Sequence, residues 1–462
     1  MLTKLYRFGP CRQRLTKAYV IWGNRSRDLV KEVIHARSKL LIDSPIQICG
    51  DSRNQQAICL DTGMVWWHKP ECRRQILDRL LDSVRRVSEF VSNRGGKLLP
   101  NAVLPDGLQK KKKVLCGDTH FFEIGNLAEK EVFCNLLRLY SPELIALTGR
   151  AGVSSFGVDS FGSRRLTESG HHFASPCLPS VSSRYLDCML QCLRRDFGIA
   201  QLDLLDINPQ AQRGEESSPV ELRFTDGQML LSTARSHAIL YQSLFIRARL
   251  MVNAGFRIFP SSQDHLERNR TQVIAKGLGA QLATSSGNHR DSVVKSALSL
   301  IRDLAFEFQT LETEYSEIAP LVLGLYLRNM GCGGLRNESD LLRTLFKVSR
   351  HEEGGSFIKR IQEEMTQDCE PIDRITYWNC QAFPERSQIV RDIWDGYLST
   401  DANPRLESQA PRDLISRLLN RPPNNRKNAH SKSRSDSPDR PKSKGHPRKP
   451  RNRRPKPNKR SE

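Results

Sequence analysis

Several common signals are missing from this sequence, and each absence closes off a class of function. No run of about eighteen consecutive apolar residues occurs, so nothing in it reads as a membrane-spanning helix. The twelve cysteines are scattered and include no Cys-x-x-Cys pair, which argues against a structural zinc site. Reduced thiols are therefore expected. No glycine-rich phosphate loop with a following Lys-Ser/Thr is present, and Gly331-Cys332-Gly333-Gly334 reads as a helix stop. No acid precedes Asp28, although several Arg and Lys do. That start could suit a transit peptide, but it has little serine and no clean amphipathic run, so a cytoplasmic location is expected. No nucleic-acid-binding module is recognisable in the body of the chain.

What is present is positive charge, unevenly spread. The formal net charge is +21, of which residues 421–462 carry +13, leaving the body at +8. The 421–462 stretch is Pro, Arg, Lys, Asn and Ser with almost nothing to bury, and is expected to be disordered. Non-specific contact with nucleic-acid phosphates through that tail is a further expectation. The other 420 residues suffice for a large core.

Residues 1–16 read as basic and irregular, and 28–41 as a helix. Short strands with turn punctuation follow at 46–49, 57–60 and 64–67. Pro70 opens an amphipathic helix over 71–94 whose apolar face is Ile76, Leu80, Leu81, Val84, Val87 and Val91, closed by Gly95-Gly96. Residues 114–124 read as a strand bearing Asp118, His120 and Glu123, and 149–183 as a polar, basic loop of active-site character. Strands are expected at 200–207 and 220–224. Helices are expected at 128–140, 184–197, 232–254, 263–276, 291–308, 312–330, 338–348 and 357–366. Strands in meanders followed by helices imply an α+β fold with a mostly antiparallel sheet.

Residues 219–226, Pro-Val-Glu-Leu-Arg-Phe-Thr-Asp, carry the densest chemistry. On a strand, Glu221 and Arg223 share one face, and Val220, Leu222 and Phe224 share the other. A carboxylate and a guanidinium side by side suit a metal-bound phosphate. The plainer alternative is an ordinary surface ion pair.

In segment order the chain resembles the bacterial-type glutamate–cysteine ligases and related carboxylate–amine ligases of the glutamine synthetase superfamily. The stretches that carry the resemblance are Asp61-Thr62-Gly63-Met64-Val65 and Gly117-Asp118-Thr119-His120-Phe121-Phe122. It continues through Ser141 to Thr148, Gly157-Val158-Asp159-Ser160, Ser163-Arg164-Arg165, the 220–226 strand and Asn269-Arg270 through Ala280.

The resemblance implies a glutamine-synthetase-like curved antiparallel sheet with helices packed outside. Its regions would be a basic segment and helix at 1–45, a ligase-like domain at 46–420, and the tail. It also implies ATP and Mg²⁺ as cofactors, and an amide bond made through an acyl phosphate between an amino acid or other small carboxylate and an amine. Metal ligands would be Glu221 and His120, with Asp118 replacing a lost one because it lies two residues from His120 on the same face. Arg223 and Arg164 would act on substrate or phosphate, and Arg165 and Ser163 would contact the nucleotide. Two departures stand out. No stretch matches the family's opening strand with paired glutamates, the nearest apolar run being residues 18–22. Where a Glu should follow Val65, Trp66 stands instead. A catalytically degenerate binding or regulatory protein is therefore the alternative, with a partner subunit or homo-oligomer as a possible source of the missing ligands.

Overall fold

Residues 12–17 alternate half-exposed and buried side chains, the period-two signature of a strand with two unlike faces. They open β1 (Arg12–Trp22) in the computed structural model of the chain. The structure describes residues 9–42, 44–51, 54–100, 117–154, 157–168, 173–212, 214–258, 261–283, 290–329, 331, 335, 337–351, 356–368, 373–382, 388, 391–392 and 395. Residues 12–16 were expected to be irregular and are instead part of the sheet's most connected strand. The tail expected at 421–462 lies outside the described residues.

The remaining strands of the main sheet are β2 (Gln47–Gly50), β3 (Ala57–Asp61), β4 (Val65–Trp66), β5 (Lys97–Pro100) and β6 (Thr119–Glu123). Two further hairpins hold β7 (Val153–Ser154) with β8 (Gly157–Val158), and β11 (Gln281–Ala283) with β12 (Arg290–Ser292); between them in sequence come β9 (Ile207–Asn208) and β10 (Val220–Leu222). The main sheet runs β2-β3-β1-β6-β10-β9, with β4 and β5 also on β1, and every pairing is antiparallel. The strand expected over 200–207 contains a 3₁₀ turn, Leu202–Leu204, and only its last residue enters β9.

Helices cover one face. Leu15, Tyr19 and Ile21 of β1 pack with Leu77, Leu80, Val84 and Val91 of the helix Pro70–Ser92, and with Leu231, Ala234 and Ala238 of the helix Leu231–Asn253. Leu341, Leu345 and Ile361, from helices Glu338–His351 and Phe357–Gln367, complete the same core. The long helices expected from periodicity are therefore present within a few residues of their expected ends. Two are broken: 28–41 divides at Ala36 into Ser26–His35 and Arg37–Leu40, and 291–308 at Leu304 into Val293–Asp303 and Ala305–Thr310. A helix at Arg374–Ala382 was not anticipated. No described helix is long and apolar enough to cross a membrane.

Candidate functional site

The opposite face of the sheet carries a small buried apolar cluster of Ala18, Val20 and Ala57 at one end and is polar beyond it, and its register can be read residue by residue. Arg14 of β1 faces Phe121 of β6, Phe121 faces Glu221 of β10, and Glu221 faces Asn208 of β9. Directly opposed residues point the same way, so these four side chains form one row across the sheet. Arg12, Thr16, Glu123 and Asp61 flank the row on the same face.

Contacts along this face tie each acid to a protein donor. The Arg14 guanidinium lies 3.7 Å over the Phe121 ring, and its Nε is 3.6 Å from Asp61. Asp61 accepts from Thr16 Oγ1 at 3.0 Å and from the Gly63 amide at 2.8 Å. Arg12 pairs with Glu123 at 3.0 Å. Glu221 is engaged through both oxygens, by Arg223 Nη1 at 2.8 Å and by Asn208 Nδ2 at 3.1 Å. Asp206, two residues before Asn208, pairs with Arg270 at 2.9 Å. Its buried Oδ1 has no hydrogen-bond partner among the described residues, and burial, opposed by Arg270, raises its pKa.

The expected site residues thus separate into three places. Glu221 and Arg223 are adjacent on the open face, as the strand pattern implied. His120 is not with them. It is the register partner of Leu222, on the core face, so it cannot share a metal ion with Glu221. His120 is fully buried beneath the sheet, 4.9 Å from the Tyr241 ring and hydrogen-bonded to Gln13 at 2.9 Å. Burial, reinforced by the Lys17 charge, pushes its pKa down to about 3. Asp118 shares that core side and is bound by Lys17 Nζ at 3.0 Å and the Gln228 amide at 2.9 Å. Among the described residues no group of three or more His, Cys, Asp or Glu could hold a metal ion.

Ser163, Arg164 and Arg165 serve local structure. The Ser163 hydroxyl accepts the Leu166 amide at 3.1 Å, opening the short helix Arg164–Glu168. Arg165 is buried and bonds Asp226 Oδ1 at 2.8 Å and the carbonyls of Arg223 and Thr225 at 2.8 and 3.1 Å. It fastens the end of the Glu221 strand. Arg164 is partly exposed and pairs with Asp159 and with Glu168. This loop docks where Gly162 meets Gly277: a Cβ at Gly162 would fall 2.2 Å from both Gly277 N and the Val273 carbonyl oxygen. Gly162→Ala is therefore expected to destabilise the fold by about 1–3 kcal/mol, since only backbone can yield there. Thermal unfolding of the variant checks this.

Sequence reading missed Arg12, Arg14 and Phe121 as site residues, and placed Asp61 and Arg270 only within matching stretches. Arg14 and Phe121 converge across 107 positions of sequence, so no local pattern brings them together.

No family profile matches the sequence, and no curated protein matches it. Solved structures do match. The glutamate–cysteine ligase of Francisella tularensis, in complex with AMP, aligns over 88% of this chain and 97% of its own, at 11% identity and a TM-score of 0.50. The fold is similar to that of a glutamate–cysteine ligase. PafA, the ligase of the prokaryotic ubiquitin-like protein Pup, solved in complex with Pup, aligns over 83% of this chain and 80% of its own, at 10% identity and a TM-score of 0.46. On this fold, the first strand of the sheet presents Arg12, Arg14 and Thr16 on the face of Glu221 and carries no Asp or Glu.

Proposed function

We propose that the chain is a catalytically degenerate ligase-fold protein that binds a phosphate-bearing anion, a nucleotide by preference, on the open sheet face. The observation that carries this reading is the row itself: arginines stand on the opening strand, and Asp61, Glu123 and Glu221 are each held by protein donors. Two or three Mg²⁺ ions need several carboxylates free to neutralise them. Two guanidiniums, Arg14 in the row and Arg12 beside it, fit phosphate oxygens instead. The residues therefore fit a nucleotide better than a cluster of magnesium ions.

Calorimetry with ATP tests this. Binding is expected to persist in excess EDTA, to weaken about tenfold or more in Arg14→Glu through loss and reversal of one charge, and to be accompanied by no phosphate release with pooled amino acids. Glu221, Asn208 and the Asp206 oxygen that has no hydrogen-bond partner among the described residues support a second reading, an active ATP-dependent carboxylate–amine ligase. Mg²⁺ arriving on ATP would need only one or two of these oxygens, because it keeps waters and phosphate ligands. Phosphate release that depends on one acid and one amine, and is lost in Glu221→Ala, would decide for the ligase.

A further inference from the structure

Two cysteines lie directly opposite each other on neighbouring strands. Cys49 of β2 and Cys59 of β3 are register partners, so both point to one face. That is the face of Arg14 and Thr16, because Cys59 is also opposite Ala18, two residues along β1 from Thr16; there Cys59 packs against the small buried cluster of Ala18, Val20 and Ala57, and Cys49 is the exposed member of the pair. Both are thiols in the structure, Cys49 exposed and Cys59 half-buried. Directly opposed antiparallel residues have Cα atoms about 4.5 or 5.5 Å apart, and a disulfide accepts about 4.4–6.8 Å. The Cys49 Sγ already reaches across the strand gap, 3.8 Å from the Cys59 carbonyl oxygen. We propose that Cys49 and Cys59 form a thiol–disulfide exchange site that takes small-molecule disulfides and closes to a cross-strand Cys49–Cys59 bond.

The chemistry balances with the small disulfide as the only oxidant. The Cys49 thiolate attacks one sulfur of the ligand, the ligand S–S bond breaks, and one small thiolate leaves. Cys59 then loses its proton to solvent and attacks the Cys49 sulfur, expelling the second small thiolate. Two protein thiols are oxidised and one small disulfide is reduced to two thiols. The surroundings favour the first step. A hydrogen bond from the Cys59 side chain holds the Cys49 pKa down to about 7 against burial and the Asp61 charge, and Arg14 helps. Allowing for the weaker nucleophilicity of a more acidic thiol, this gives roughly a three- to fivefold rate advantage over an ordinary cysteine at pH 7. The resulting bond would fasten β2, an edge strand, to the sheet.

Cys188 and Cys192, exposed on the helix Ser183–Phe197, provide an internal reference. The full chain would be treated with oxidised glutathione at pH 7, quenched by alkylation and mapped by peptide mass spectrometry. A Cys49–Cys59-linked peptide is expected to accumulate ahead of modification at Cys188 and Cys192, and dithiothreitol should reverse it. Cys59→Ser should stop at one glutathione on Cys49. Cys188 and Cys192 reacting as fast as Cys49, absence of the linked peptide in the unaltered protein, or no glutathione on Cys49 in Cys59→Ser would each overturn the proposal.

Discussion

Lys17→Met is expected to lower the stability of the protein by about 3–5 kcal/mol, the usual result of removing one member of a buried ion pair. Lys17 and Asp118 are both inaccessible to solvent, with Nζ and Oδ2 3.0 Å apart. Nζ also donates to the Gln228 carbonyl, and the Gln228 amide donates to Asp118. Without the ammonium, Asp118 keeps a single amide donor, and its Oδ1 already has no hydrogen-bond partner among the described residues. The carboxylate must then remain charged in an apolar setting or take up a proton, and both are unfavourable at neutral pH. Burial already raises the Asp118 pKa, with Lys17 the main opposing influence. The double variant Lys17→Met/Asp118→Leu should recover much of the loss, because two apolar side chains replace a pair rather than orphan one member. Urea midpoints at unchanged slope measure both effects. A Lys17→Met midpoint equal to that of the unaltered protein would mean the pair is not held away from water.

The second large effect is acid sensitivity from two histidines. His120 and His237 are both fully buried under the sheet, and burial is the leading cause that depresses each pKa, His120 to about 3 and His237 well below its ordinary value. The Lys17 charge adds to the effect on both, after His120 in the case of His237, and each His237 nitrogen lacks a hydrogen-bond partner among the described residues. The unfolded chain binds protons at these groups as pH falls through about 6.5, whereas the folded chain holds them neutral to much lower pH. Their contribution is therefore fully present above pH 6.5 and is lost on acidification by up to about 1.4 kcal/mol per pH unit per histidine. Between pH 6.5 and 5 the pair should remove about 3 kcal/mol. His237→Leu should halve that slope. Comparing the variant with the unaltered chain isolates the histidine from Asp118 and Glu338, whose pKa values are raised by burial and which act in the opposite sense. Equal pH slopes in the two proteins would contradict the assignment.

Features set by local periodicity were legible in the sequence. The helix expected at 71–94 is Pro70–Ser92, and the Glu221–Arg223 pair forms because a strand places i and i+2 together. Asp118 and His120 do share a face, as expected. What a single strand cannot reveal is which face that is. It depends on the register against β10, where His120 meets Leu222 and Phe121 meets Glu221. Strand β1 was hidden for a related reason. Its inward side carries Gln13 and Lys17 beside Leu15 and Tyr19, so polar residues fall on both faces and the alternation disappears. Those two become buriable through distant partners: Gln242, 229 positions away, and His120 for Gln13, and Asp118, 101 positions away, and Gln228 for Lys17. A buried lysine with a distant partner reads in sequence as an exposed one.

The wiring of β1 also sets the order in which the protein can be assembled. This strand pairs with β3, β4, β5 and β6, the last ending at Glu123. Residues 12–22 leave the ribosome about a hundred positions ahead of β6, which at about 5–20 residues per second leaves one side of the strand waiting roughly 5–20 s for that partner. The hairpin-like pairing with β3 can form early, but Lys17 has no counter-charge until Asp118 emerges, and β10 can join only after β6 is in place. The nascent chain therefore carries a half-paired, arginine-studded strand through much of its synthesis, with its positive charge discouraging premature edge-to-edge association until the sheet can close around it.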